Sequence, residues 1–188
     1  MILVIDIGFH AIKIVGIEKV KGQYSVKTIG TDLVIKDHKG YDPDKITGVH
    51  WIAAIQDLCS RLKININKVE KIVSSISGQQ VTIKPMTLLE MEEQELLNTL
   101  TFEAKKHIPL DGSDPVVDYH IIGQDINQID KINLLLIAST MKIIKQQNEI
   151  MKSCNINSGI FDAAPISFLN AYLYNYGLQE DGVDVLLN

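Results

Sequence analysis

Residues 1–17 constrain the fold more than any other stretch. Two apolar runs, Ile2-Leu3-Val4-Ile5 and Ile12-Lys13-Ile14-Val15-Gly16-Ile17, flank the triplet Asp6-Ile7-Gly8. Short β-branched runs around a glycine turn predict two paired strands, at Ile2–Asp6 and Ile12–Lys19. Asp6 then closes an apolar strand, where an ionised carboxylate is costly unless something pairs with it. A hydrated metal on a nucleotide phosphate is one such partner, and the backbone N–H groups of a tight turn suit phosphate oxygens. An ordinary hairpin also accommodates the triplet and is the simpler local reading. Lys13 is placed either to approach a phosphate or to stand in solvent as a strand lysine.

The pattern continues with a turn at Gly22 and a third strand, Tyr24–Ile35, which completes an antiparallel meander. Asp42-Pro43-Asp44 opens a helix, with proline in the first turn, and Ile52, Ile55, Leu58, Cys59 and Leu62 form its apolar face. Lys71–Ser77 reads as a buried strand. Next come a strand at Gln80–Leu88, a helix at Glu92–His107 stopped by Pro109, strands at Val116–Ile122 and Ile132–Ser139, a helix at Met141–Cys154 and a short strand at Ser158–Phe161. The order β-α-β-β-α-β from Gln80 to Phe161 suits a small split-βαβ module inserted in a larger domain. Pro165 opens a last helix that stops at Gly177. Val183-Asp184-Val185-Leu186-Leu187-Asn188 begins another strand with no closing turn or helix after it, so the sequence is expected to be part of a longer protein.

Composition narrows the function classes. With 188 residues, 46% of them hydrophobic, the chain can bury a sizeable core as one domain or two small ones. A formal charge of −5, with basic residues dispersed, argues against a broad nucleic-acid surface. Two cysteines, Cys59 and Cys154, both fall in helical patterns and read as reduced core thiols rather than a disulfide framework. Neither a secretory signal pattern nor an apolar run long enough for a membrane span is present.

Two further segments carry polar residues at suggestive spacings. In Phe161-Asp162-Ala163-Ala164-Pro165, Asp162 reads as a helix cap ahead of proline. In Phe102-Glu103-Ala104-Lys105-Lys106-His107-Ile108-Pro109, Glu103 and His107 lie four apart. The other histidines are scattered, so ordinary surface pairing is expected in place of a metal site.

Taken in order, Val4-Ile5-Asp6-Ile7-Gly8, the Phe102–Pro109 block with Val117-Asp118-Tyr119-His120, Leu135-Leu136-Ile137-Ala138-Ser139-Thr140-Met141-Lys142, and Gly159-Ile160-Phe161-Asp162 ahead of Pro165 resemble the PilM family. Its members are actin-like cytoplasmic components of type IV pilus assembly, related to the division protein FtsA. The resemblance implies the first half of an actin/ribonuclease-H-like α/β fold: a partial subdomain IA at 1–79 and 158–188, with an inserted split-βαβ subdomain IC at 80–157. It makes Asp6, Gly8, Phe9, His10 and Lys13 the candidate nucleotide-binding residues, with Asp6 the candidate metal residue, and assigns no catalytic residue. ATP and magnesium are expected only in a full-length protein, because a second phosphate loop would begin where this chain stops, at Leu187-Asn188. None is expected to bind this part tightly.

Two departures bear on activity. Relatives carry small hydroxyl residues after the first-loop glycine, where this chain has Phe9 and His10. They also carry a glutamate before the proline, where this chain has Ala164. Hydrolysis is therefore expected to be weak or absent. The resemblance implies a scaffold on the cytoplasmic side of the inner membrane that binds the tail of a PilN-like membrane protein and links it to the pilus machinery. An active ATPase or phosphotransferase of the same superfold, and the cytoplasmic domain of a GspL-like type II secretion protein, are the competing readings.

Overall fold

The computed structural model describes residues 1–37, 42–109, 111–157, 159–177 and 182–186. The chain forms two compact units, Met1–Ser77 with Ile150–Asn188, and Gly78–Glu149.

The first unit is built on a five-stranded sheet in the order β3-β2-β1-β4-β8. Its strands are β1 (Ile2–Ile7), β2 (Ala11–Val20), β3 (Gln23–Leu33), β4 (Lys71–Ile76) and β8 (Ile160–Ala163). β1 to β3 form the expected antiparallel meander, while β4 and β8 run parallel to β1. Alternation in β1 sends Leu3, Ile5 and Ile7 to one face, where they are buried with Ile12 and Ile14 of β2. Helix α1 (Gly48–Arg61) covers that face with Trp51, Ala54, Ile55, Leu58 and Cys59. Gly30 permits its close approach, since a Cβ there would sit 3.1 Å from Leu58 and Leu62 methyl carbons.

The helix expected from Asp42 onward is broken in two. Asp42 caps a single 3₁₀ turn, Pro43–Lys45, and the chain is extended again at Ile46 and Thr47. Thr47 and His50 then form their own capping box, the Thr47 N–H donating to His50 Nδ1 at 3.1 Å, so α1 starts afresh at Gly48. Cys59 and Cys154 are buried free thiols. Burial, with a smaller contribution from Cys59, pushes the Cys154 thiol up to about 11. The thiolate is the nucleophile, so native Cys154 should resist iodoacetamide at pH 8 and react readily once denatured, as peptide mass spectrometry would show.

The second unit has a three-stranded antiparallel sheet, β5-β7-β6. Its strands are β5 (Thr82–Leu89), β6 (Pro115–Gln124) and β7 (Lys131–Thr140). Pro85, which has no N–H to donate, is accommodated because β5 is an edge strand. Helix α2 (Glu93–Ala104) packs Leu96, Leu100 and Ala104 on Ile132, Leu134, Leu136 and Ala138 of β7. The sheet has three strands because the final strand of the β-α-β-β-α-β series, β8, pairs with β4 in the first unit's sheet. Helix α3 (Met141–Ser153) follows β7 directly, and α4 (Ala164–Tyr176) follows β8. The strand expected from Val183 is not formed over residues 182–186, where Val183 and Val185 are exposed; Leu187 and Asn188 lie outside the described residues.

The start of α3 is tied to the loop before β6. Thr140 Oγ1 donates to Asp111 Oδ2 at 2.8 Å, and the Ser113 hydroxyl and N–H donate to Oδ1 at 2.7 and 3.0 Å. Ser113, then Thr140, hold the Asp111 carboxyl below its usual 3.8. A carboxylate with a depressed folded-state pKa contributes stability that is whole above pH 3.8 and lost as pH falls through the folded value. Asp111→Asn should therefore flatten the acid limb of the stability–pH curve, measured by urea denaturation between pH 7 and pH 2.

Candidate functional site

Parallel α/β sheets present their ligand sites at the carboxyl ends of their strands. Here the ends of β1, β4 and β8 carry Asp6, Ser75 and Asp162, which lie in register across the sheet, and Lys13 of β2 lies opposite Asp6. In-register residues share a face, so the four side chains form one polar row. Lys13 Nζ donates to Asp6 Oδ2 at 3.1 Å and Ser75 Oγ donates to Asp6 Oδ1 at 2.6 Å. Thus the carboxylate that seemed to require an external partner has two internal ones. The Asp6–Lys13 pair is partly solvated, and pairs of this kind contribute only ~0–1 kcal/mol to stability.

Above the row lies a cleft of about 550 Å³. All five sequence-predicted residues, Asp6, Gly8, Phe9, His10 and Lys13, line it, together with Ser75 and Ser77 from β4 and its end, and Ala164, Ser167 and Phe168 from α4. Gly8 is required by a close approach: a Cβ would sit 2.8 Å from the Ala11 carbonyl oxygen. Gly8→Ala must shift the β1–β2 turn, and a loss of about 1–3 kcal/mol is expected in chemical denaturation. Phe9 packs its ring edge-on against Trp51, with centroids 5.7 Å apart. Trp51 Nε1 donates to the Gly8 carbonyl oxygen at 3.0 Å, so the turn is pinned from α1.

Two expectations about the remaining segments change. Asp162 does not cap α4; Ala163 is the cap residue. Asp162 instead lies within β8, one residue before its end, accepting from the Ala163 N–H at 2.8 Å and from the Ser167 hydroxyl. Glu103 does not pair with His107, because α2 ends at Ala104 and the i,i+4 geometry is lost. Glu103 pairs with Lys106 at 2.5 Å, and His107 Nε2 meets Lys84 Nζ of β5 at 2.8 Å. Sequence reasoning missed Ser75, Trp51 and Ser167. The only usable signal was Trp51, a lone tryptophan in a predicted amphipathic helix. The position of Ser75 beside Asp6 depends on strand register.

The donor set fits a phosphate and its counter-ion. Lys13 supplies an ammonium and Ser77 a hydroxyl, the Ser75 hydroxyl being engaged by Asp6, and among the described residues Asp6 is the single carboxylate that lines the cleft. Among the described residues no cluster of three or more His, Cys, Asp or Glu side chains is arranged to hold a metal directly. A magnesium ion, which keeps several of its waters and takes one or two carboxylates plus phosphates, is compatible with Asp6 alone.

The model of the family "Type IV pilus assembly protein PilM" matches residues 4–186. The chain belongs to this family. The membership accords with solved structures, to which this PilM-family chain is similar in fold. A chain of a PilM-PilN type IV pilus biogenesis complex superposes with a TM-score of 0.72 at 15% identity, covering 92% of this chain and 50% of that one. The cytoplasmic domain of EpsL, an inner membrane component of the type II secretion system of Vibrio cholerae, gives 0.52 at 10% identity over 85% of this chain and 56% of that one. A Bacteroides thetaiotaomicron protein with an actin-like ATPase fold and unknown function gives 0.47 at 11% identity, over 93% and 56%. Comparison by sequence with curated proteins gives no match. The chain spans about half the length of these solved relatives. The mixed α/β fold and the β1–β3 meander agree with the expectation.

Proposed function

We propose that this chain is part of an actin-like scaffold of type IV pilus assembly, which binds the cytoplasmic tail of a PilN-like inner-membrane protein and keeps a nucleotide cleft that hydrolyses ATP weakly or not at all. The observation that carries the reading is family membership over residues 4–186. The fold similarity to a chain of a PilM–PilN complex supports the choice of partner. In this reading the partner supplies the association with the inner membrane; no helix among the described residues is long and apolar enough to cross a membrane. The likeness to EpsL is one of fold, and the family match favours pilus assembly over type II secretion.

The cleft supports the second half of the reading. A bound nucleotide would supply phosphate charge and a hydrated magnesium ion. On the protein side, Lys13 and the Ser77 hydroxyl are placed to neutralise and hydrogen-bond phosphate, and Asp6, steadied by the Ser75 hydroxyl, to hold metal-bound water. Phe9, at 44% exposure, adds an apolar wall with no donor. On the α4 side, Ala164 has no polar side chain to orient water, and the Ser167 hydroxyl already donates to Asp162. General-base assistance is worth ~10²–10⁴ in rate, and its absence would leave a binding site without turnover. Steady-state phosphate release by the full-length protein should not exceed that of its Asp6→Ala variant, while calorimetry should detect Mg-ATP binding by the first and not the second. Robust turnover abolished by Asp6→Ala would overturn the reading.

A further inference from the structure

The second unit holds a cleft of its own, about 360 Å³, between the start of α2 and the far end of β6. Met91 and Leu96 form one wall, Tyr119 and Ile121 of β6 the other, and Ile132 of β7 lies between. Glu90 and Glu93 stand at the rim, both exposed. The cleft arises because the sheet extends past the helix that covers it. Leu96 and Leu100 of α2 are buried, but Ile121, on the same sheet face as Tyr119, remains 46% exposed. A register shift between Ile121 and Gly123 interrupts β6 there, and β6 is an edge strand. Around the same end, Leu89 is half exposed and Ile126 and Ile129 of the β6–β7 turn are 95% and 89% exposed.

Charge indicates what this apolar end accepts. Glu90, Glu92, Glu93 and Glu95 are all exposed, and none of them takes part in an ion pair among the described residues. The helix dipole accounts for acids inside the first turn of α2, but Glu90 precedes the helix and still lines the cleft. An acidic rim repels an anionic lipid surface and nucleic acid. It also repels a second copy of this chain, whose formal charge is −5.

We propose that this cleft docks a cationic amphipathic segment of a partner protein, distinct from the nucleotide cleft. A large apolar side chain of the segment sits between Met91 and Ile121, and flanking lysine or arginine side chains face Glu90 and Glu93. Apolar burial holds the segment, while the carboxylates select its charge and speed its arrival.

The test uses the intact protein with methyl and amide resonances assigned, and two synthetic amphipathic helical peptides, one of leucine and lysine, the other of leucine and glutamate. The leucine–lysine peptide should shift the Met91, Ile121 and Ile132 methyls and bind more weakly as salt rises. The leucine–glutamate peptide should not bind. A Glu90→Lys/Glu93→Lys double variant, and separately Ile121→Glu, should each weaken binding ~10-fold or more. All three positions are exposed, and circular dichroism checks that each variant is folded. Equal binding of both peptides, shifts confined to other surfaces, or unchanged affinity in the folded charge-reversed variant would overturn the proposal.

Discussion

Trp51→Ala should be among the most damaging single substitutions in the first unit, costing about 3–5 kcal/mol in equilibrium denaturation, the usual cost of truncating a buried aromatic side chain. Trp51 is 5% exposed and sits in the core beneath the β1–β2 turn. The substitution empties that volume, leaves the Gly8 carbonyl without its indole donor and takes away the ring against which Phe9 packs. Trp51→Phe should recover most of the packing but not the hydrogen bond, whose net worth is ~1 kcal/mol. A stability for Trp51→Ala within 1 kcal/mol of wild type would show that the turn is held some other way.

In the second unit, Leu100→Ala should cost ~3–5 kcal/mol. Leu100 is fully buried, and the core it joins is small: Leu96, Ala104 and Ile108 on one side and four β7 side chains on the other. A unit of this size has little stability to spare, so the loss should uncouple it from the rest of the chain. Native-state hydrogen exchange should show β5, β6 and β7 amides losing protection while β1, β2 and β4 amides keep theirs. Uniform loss across both units would mean that they unfold as one.

Much of this fold was legible in residue order. β1 and β7 were readable as short, nearly continuous apolar runs; burial alternates along β1, and along β7 as far as Ala138, after which Ser139 and Thr140 are buried too. The meander, the helix spacing in α1 and the departure of β8 from the inserted module's boundary are subtler. The split of the 42–62 helix turned on Thr47 and His50, a capping pair that uses a histidine where glutamate or glutamine is usual, and so gave no standard signal. α2, expected to run to His107 and stop at Pro109, ends at Ala104 instead, and the chain continues in tighter turns, the Lys106 N–H donating to the Glu103 carbonyl and the His107 N–H to the Ala104 carbonyl. At the candidate site, Asp6, Gly8, Phe9, His10 and Lys13 were readable because they are contiguous or nearly so. Ser75 and Asp162 were not, since their place beside Asp6 is set by parallel pairing between strands far apart in sequence.

On the proposed reading, this PilM-family member keeps the polar row of a nucleotide site, walled on the α4 side by Ala164 and by Ser167, whose hydroxyl already donates to Asp162. Its proposed role is to hold a partner. The most direct measurement is a binding isotherm between the folded full-length protein and a synthetic peptide of the cytoplasmic tail of the proposed PilN-like inner-membrane partner, followed by fluorescence anisotropy. Saturable binding, retained in the Asp6→Ala variant and lost with a scrambled tail, is the predicted result. No saturable binding by a correctly folded protein would contradict the scaffold role.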